Sequence, residues 1–346
     1  MKAKIRNAPP KASAMLEALR GLGYSTADAL ADIVDNSISA GASEVCIDFR
    51  WEGGEGAFVS VLDDGRGMDD PELEAAMRLG EKSPLDERSA DDLGRFGMGL
   101  KTASFSQCRS LTVVSKREGA AATCLRWDLD EIAARDDGAW ALIEGAAEGS
   151  QERLAPLDGH PSGTLVLWEK MDRIISEGCN ANHFLELIDR VETRLSMIFH
   201  RLLEGRMPVL RLRINGKAVE PWDPFLTGHP AKPWNSPVER KWTPAGMVEV
   251  ECHVLPHKDM LTTTVCDQAA GPDGWNSQQG FYVYRNGRLL LAGGWLGLGQ
   301  GRAWNREEAQ KLARIRLDIP NTACCCALNF DPPCSPKIDP SNMRLV

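Results

Sequence analysis

The sequence predicts an α+β chain of two domains, on three observations. Its 346 residues correspond to about two domains at roughly 150 residues each. Helix-period segments come first and strand-like runs follow, with no parallel βαβ alternation around the glycine-rich stretch. Beyond Gly205-Arg206-Met207-Pro208, a boundary-like segment, the remainder is strand-rich. The expected domains are 1–204 and 205–346.

The first helix is expected over residues 15–23, behind a Pro-containing arm. The second covers 27–40. Ser25 or Thr26 can cap its start, and Gly41 stands where a left-handed cap belongs. Leu30, Ile33, Val34 and Ile38 recur there at helical spacing. Strand-like runs cover 45–51 and 58–62, the second ending in the turn-rich DDGRGM. A polar, acidic segment, 81–92, leads to GRFGMGLK, which opens a helical run towards Gln107. Further strands are expected at 111–115, 123–129, 140–144 and 164–168, then helix from Phe184 to about Leu203. The second domain should hold strands at 209–214, 247–255 and 280–285, and a helix over 306–313. Pro and Trp crowd the connection 221–244 as an insertion or loop. Beyond Asn321 the composition turns to Cys, Pro and Asn with no apolar period.

Forty Lys plus Arg against forty-nine Asp plus Glu leave a net charge of −9. That excludes an all-basic nucleic-acid coat but leaves room for a local basic patch. With 43% hydrophobic and 26% charged residues, a disordered or collagen-like chain is excluded too. No apolar run approaches the roughly eighteen residues of a membrane span, and the opening MKAKIRNAPPKAS has no apolar stretch. The chain therefore reads as soluble and cytoplasmic. Six of its ten cysteines sit singly, and Cys324, Cys325, Cys326 and Cys334 lack the paired spacing of a zinc site.

Three segments carry candidate chemistry. Asp28, Asp32 and Asn36 lie at i, i+4 and i+8 of the second helix, on a stripe opposite the apolar one. An amide oxygen beside carboxylates suits a hard cation such as Mg²⁺, although such a stripe also serves as a plain solvated face. In DDGRGM, Asp63 stands at a strand end, able to accept a hydrogen bond from an exocyclic amine. Gly65 and Gly67 allow a positive φ and close approach of a ligand. Alone, an Asp-Gly turn is commonplace. In GRFGMGLK, Gly94, Gly97 and Gly99 precede a helix whose free N–H groups suit an anion, and Lys101 adds a charge. The pattern is neither a Walker A loop nor a dinucleotide fingerprint.

In this order and spacing, the segments resemble the GHKL, or Bergerat-fold, ATPases: gyrase B subunits, the large heat-shock chaperones, MutL and sensor histidine kinases. DIVDN, from Asp32 to Asn36, is similar to the family's Glu-x-x-x-Asn helix, DDGRGM to its Asp-x-Gly-x-Gly turn, and GRFGMGLK to its ATP lid. Gly163-Thr164 matches its Gly-Thr. GRFGMGLKTASF, and FYVYRNGRLLLAGGW from Phe281, resemble the prokaryotic MORC-like and MutL-like branch. The resemblance implies a two-layer α/β sandwich, a mixed sheet covered by helices, followed by a smaller transducer-type α+β domain. It implies ATP and Mg²⁺ as ligands. Asn36 would hold the metal, and Asp63 would accept the adenine amine, with Thr164 helping through a water. Gly65, Gly67 and Met68 would lie against the base. Gly94, Phe96, Gly97, Met98, Gly99, Leu100 and Lys101 would close over the phosphates, in a lid spanning about 80–100.

Asp32 occupies the place of the family's general-base Glu. The carboxylate is kept, but it is one methylene shorter, so hydrolysis is expected to be slow. The resemblance further implies an ATP-dependent dimer clamp, with the arm before Met15 crossing over, in a DNA-related process. Arg285, Arg288, Arg302, Arg306, Lys311, Arg314 and Arg316 are candidate DNA contacts. A non-hydrolysing nucleotide-sensing module is the alternative. A histidine kinase is disfavoured, because the roughly thirty residues before the Asn36 helix hold no His. The stretch from about 322, with Lys337 its one lysine, departs from the lysine-bearing segment of relatives.

Overall fold

The computed structural model describes residues 8, 10–21, 23–53, 56–81, 99–135, 137–175, 179–206, 209–244, 246–298 and 304–320. The expected lid residues Gly94, Phe96, Gly97 and Met98, together with Arg302, Lys337 and the clustered cysteines, lie outside these residues. The chain divides into two compact units. The first runs to Glu192 and includes Val209–Val219, which follow the break expected at 204; the second begins at Thr193 and resumes at Glu220.

The first unit opens with α1 (Ala12–Arg20), which buries Leu16 and Arg20. The Ser25 side chain accepts from the Asp28 N–H and so starts α2 (Thr26–Ser39), which buries Leu30, Ile33 and Val34. β1 (Glu44–Arg50) and β2 (Phe58–Asp63) pair antiparallel. α3 (Asp70–Met77) is absent from the sequence expectation, yet Asp69 and Glu72 form a reciprocal capping box there, with Pro71 in the first turn. Then come α4 (Gly99–Phe105), β3 (Ser110–Lys116), β4 (Thr123–Asp128) and α5 (Leu129–Ala134), capped by Asp128. β5 (Ile143–Glu144), α6 (Gln151–Leu154) and β6 (Gly163–Glu169) follow. α7 (Ala181–Ile198) passes from the first unit into the second, where α8 (His200–Leu203) lies. The chain then returns to the first unit as β7 (Arg211–Ile214) and β8 (Lys217–Ala218).

Eight strands form one sheet in the order β5-β4-β3-β6-β2-β1-β7-β8. Only the β1–β7 pair is parallel among these neighbours, so the sheet is mixed. α2 and α1 pack on α4, and α1 also packs on α5. Registers align Phe49, Val59, Trp168 and Leu111 in one cross-strand row and Ile47, Val61, Val166 and Val113 in the next. The Trp168 indole donates to Ser104 of α4 at 2.8 Å, which puts these rows on the helical side. The opposite face carries Phe58, Val114, Leu165 and Leu167, covered by Leu157 and Leu154. Each such side chain stabilises the fold by about 1.5–3 kcal/mol when fully buried. The result is the expected α+β layering of a mixed sheet covered by helices.

The second unit holds β9 (Trp234–Asn235), β10 (Glu239–Thr243), β11 (Gly246–Val254), α9 (Thr263–Ala270), β12 (Gly280–Arg285), β13 (Arg288–Ala292) and β14 (Ala313–Asp318). The strand order is β10-β11-β14-β12-β13, with β9 on β11 and a parallel β12–β14 pair. Phe281, Val283, Leu317, Ile319, Trp295 and Leu298 form one core cluster, and Met197, Phe225, Tyr282, Tyr284 and Leu289 another. Two expectations are corrected. The crowded connection 221–244 contains β9 and the edge strand β10. Of the helix expected over 306–313, only a single 3₁₀ turn forms, Glu308–Gln310. From Ala313 the chain pairs with both β11 and β12, and tertiary pairing overrides the segment's helix-favouring residues. No described helix is long and apolar enough to cross a membrane.

Candidate functional site

One row further along the helical side of the first sheet, the apolar pattern gives way. Val45, Asp63, Thr164 and Ser115 are in register across β1, β2, β6 and β3. Asp63 is 6% exposed, Thr164 8% and Ser115 0%. The Ser37 hydroxyl of α2 donates to Asp63 Oδ2 at 2.8 Å, and the Gly65 and Thr164 N–H groups donate to Oδ1 at 3.0 and 3.3 Å. Burial pushes the Asp63 carboxyl above its ordinary pKa, against those three donors. A carboxylate offers about four acceptor positions. Three are taken, and the position left lies on Oδ2.

Ser115 ties this row to the following turn. Its Oγ accepts from the Met68 N–H at 2.8 Å, donates to the Gly163 carbonyl at 3.1 Å and lies 2.8 Å from Thr164 Oγ1. With its single proton on Gly163, Ser115 accepts from the Thr164 hydroxyl. The glycines are needed for internal reasons, not only for the ligand approach expected of them. Gly67 has φ +64°, and a Cβ there would lie 1.9 Å from the Lys116 carbonyl oxygen. A Cβ on Gly163 would lie 2.2 Å from the Asp63 carbonyl oxygen, and one on Gly65 would lie 2.9 Å from Asp63 Oδ1. The Arg66 N–H closes the turn on the Ala40 carbonyl at 3.0 Å.

On α2, Asn36 is exposed and Asp28 and Asp32 are half-buried, while Asp35 is buried away from that stripe. Tyr24 donates its hydroxyl to Asp32 Oδ2 at 3.1 Å. α4 begins beside this carboxylate, since a Cβ on Gly99 would lie 3.5 Å from the same oxygen. Gly99 and Leu100 are half-buried. Lys101, expected to face phosphates, is 3% exposed and donates its ammonium to the Ala76 carbonyl near the end of α3 at 2.7 Å.

The segment holding all of these groups, residues 24–164, matches a family model described as histidine kinase-, DNA gyrase B-, and HSP90-like ATPase. Residues 24–164 belong to the GHKL ATPase family. Relatives of the chain fall in the expected branch. A DNA mismatch repair protein MutL of Rhodospirillum rubrum is 34% identical over 142 residues, 40% of this chain and 19% of that protein. The ATPase morc-1 of Caenorhabditis elegans is 35% identical over 91 residues, 26% of this chain and 10% of that protein. A MutL of Shewanella piezotolerans is 26% identical over 270 residues, 76% of this chain and 38% of that protein. The chain thus spans well under half the length of the relatives it matches.

Within the GHKL domain, the structure brings together Asp63, Gly65, Gly67, Met68 and Thr164, and separately Asp32 and Gly99. Pattern reading misses Ser37, Ser115 and Tyr24. Ser37 is the one polar residue on the buried side of α2's last turn, and that placement is the sequence signal for it. Ser115 has no such signal, because only strand register sets it beside Thr164.

In the second unit, two of the residues expected to contact DNA are corrected, because they are buried. Arg314 is 0% exposed and Arg285 6%. The Arg314 guanidinium donates to the Pro224 carbonyl and, at 2.6 Å, to the Ala269 carbonyl. Arg316 pairs with Glu251 at 2.8 Å, and Lys311 pairs with Glu308. Arg288 is half-buried and Arg306 exposed. Core arginines cannot meet phosphates. Among the described residues, His200, Glu204 and Asp223 bring potential metal-ligand atoms within 4.8 Å of one another. The two His200 ring nitrogens already face Glu204 at 2.9 Å and the Tyr284 hydroxyl at 2.8 Å, so the group serves as a strap from α8 to β12.

Proposed function

We propose that this chain binds ATP with Mg²⁺ in its GHKL domain and hydrolyses it slowly. In this reading the bound nucleotide is a conformational switch that closes a dimer in a DNA-related process. The observation that carries the reading is Asp63. It is a buried carboxylate held by three donors, with one acceptor position left to take an adenine amine. Thr164 helps through a water, and Met68 packs on the base. The exposed Asn36 amide, on the same stripe as Asp28 and Asp32, offers the hard oxygen donors that Mg²⁺ requires. Asn36 would hold the metal, which neutralises phosphate charge when bound. Asp32 takes the proton of the attacking water, and Gly99 and Leu100 at the start of α4 lie over the phosphates. A ligand that prefers the closed state drives closure by its differential affinity. The relatives' names, DNA mismatch repair protein MutL among them, support the DNA-related part.

Calorimetry tests the adenine assignment. Asp63→Asn places an amide N–H₂ among donors and should weaken ATP binding by about a hundredfold or more; unchanged affinity would sink it. Light scattering with a non-hydrolysable analogue tests dimer closure, and a mass that does not change removes the clamp. The shorter Asp32 side chain favours a second reading, a module that binds without hydrolysis. Phosphate release above that of the Asp63→Asn variant excludes it.

A further inference from the structure

We infer that Ser115 is a positioning residue for purine specificity: it takes the proton of the Thr164 hydroxyl and so leaves only acceptors beside Asp63. The inference deepens the proposed function and rests on it. Three groups meet the Ser115 oxygen near the end of β3. They are the Met68 N–H at 2.8 Å, the Gly163 carbonyl at 3.1 Å and Thr164 Oγ1 at 2.8 Å. A hydroxyl has one proton to give and two lone pairs with which to accept. The Met68 N–H can only donate, and the Gly163 carbonyl can only accept. One distribution of protons satisfies all three contacts: Ser115 donates to Gly163 and accepts from both Met68 and Thr164. Ser115 is 0% exposed, so bulk water does not take over any of them.

The Thr164 proton is thereby committed away from a ligand. What Thr164 still offers is lone pairs, and Asp63, its register partner, offers an acceptor position on Oδ2. Neighbouring N–H groups are spent inside the protein too. Those of Gly65 and Thr164 donate to Asp63, that of Arg66 to the Ala40 carbonyl and that of Asp64 to the Glu44 carbonyl.

An acceptor wall of this kind matches a ligand edge that carries a donor. The exocyclic amine of adenine is such a donor. The 6-carbonyl of hypoxanthine or guanine is an acceptor, and it would exchange water for facing lone pairs. Asp63 by itself favours the amine. A Thr164 hydroxyl without Ser115, however, would be free to turn its proton towards a 6-carbonyl, directly or through a water, and so accept the wrong purine. Ser115 closes that route. The same oxygen holds the Met68 N–H, so one side chain ties the residue that packs on the base to the residues that read its edge.

Calorimetry on the full chain, with Mg²⁺ and either ADP or inosine diphosphate, tests the inference. The two ligands differ only on the 6-amino edge of the purine, and neither has a γ-phosphate to lose. The native protein should prefer ADP by about a hundredfold or more. Ser115→Ala should narrow that preference about tenfold, with inosine diphosphate binding more tightly than it does to the native protein. A merely structural role would weaken both ligands alike. Ser115→Cys keeps the position filled by a weak acceptor, should give a smaller change of the same sign, and carries the test if the alanine variant does not fold. Adding Thr164→Val, which removes the hydroxyl and keeps the shape, should abolish the gain for inosine diphosphate. An absent native preference, an unchanged preference in the Ser115 variants, or a gain that survives Thr164→Val overturns the role of Ser115. The proposed function stands in those cases as long as Asp63→Asn weakens ADP. If ADP does not bind, or binds Asp63→Asn as tightly as the native protein, both fall.

Discussion

In the first unit the buried polar side chains Asp63, Thr164 and Ser115 line up in one cross-strand row, whereas in the second unit Arg314 is enclosed by rings and backbone carbonyls. Both environments are buried. Arg314 donates to two carbonyls and lies 5.6, 5.7 and 5.8 Å from the rings of Trp222, Trp275 and Tyr282. Burial holds its pKa below the usual guanidinium value. Asp63 is held by donors on both oxygens but keeps an acceptor position in reserve at a strand end. What differs is the neighbourhood: Asp63 stands at a strand end beside a turn, whereas Arg314 is closed in by rings and backbone carbonyls.

Four substitutions break or sharpen that contrast. Arg314→Ala removes the partner of two buried carbonyls and leaves a cavity, so denaturant unfolding should show a loss of about 3–5 kcal/mol. A loss near zero would end the structural reading of Arg314. Gly67→Ala forces a side chain into a left-handed conformation and against the Lys116 carbonyl, for a loss of about 3 kcal/mol in the same measurement. Ser115→Ala strips the Met68 N–H of its acceptor and should lose about 1–2 kcal/mol. It should also weaken adenine nucleotides while sparing their phosphate contacts, which a comparison of adenosine with ATP in calorimetry would separate.

The smallest effect is one of pH. The folded-state pKa of Asp63 is raised, so the native chain binds its proton more tightly than the unfolded chain does. The contribution is present below the ordinary aspartate value and is lost as pH rises through the raised one. The native protein should therefore lose stability relative to Asp63→Asn across that window, in urea titrations from about pH 3.5 to 7. A constant difference would mean that the three donors offset burial completely.

Much of the first unit can be read from pattern alone. α2, β1, β2, β3, β4 and β6 fall within a residue or two of their expected places, because α2 repeats at helical spacing and the strands are short apolar-rich runs, several of them buried on both faces. α3 buries only Leu73 and Met77, so its apolar period is weak and only its capping box marks it. β13 is marked by Asn286-Gly287, whose positive φ values form the hairpin turn, rather than by its own burial. The site divides the same way. Asp32, Asn36, Asp63 and Thr164 come from motif spacing. Ser115 depends on register, which is not written in local sequence. The buried arginines of the second unit are illegible for the opposite reason: charge in a sequence implies solvent until a core of rings and carbonyls is seen around it.

The parallel pairing of β1 with β7 has a practical consequence. Leu212 and Ile214 are the register partners of Val45 and Ile47, and they arrive only after the chain has visited the second unit. A fragment cut at residue 204 would carry every motif of the ATPase family and still present an unpaired apolar edge on β1, a template for self-association. A fragment continued through residue 219 would keep that edge covered.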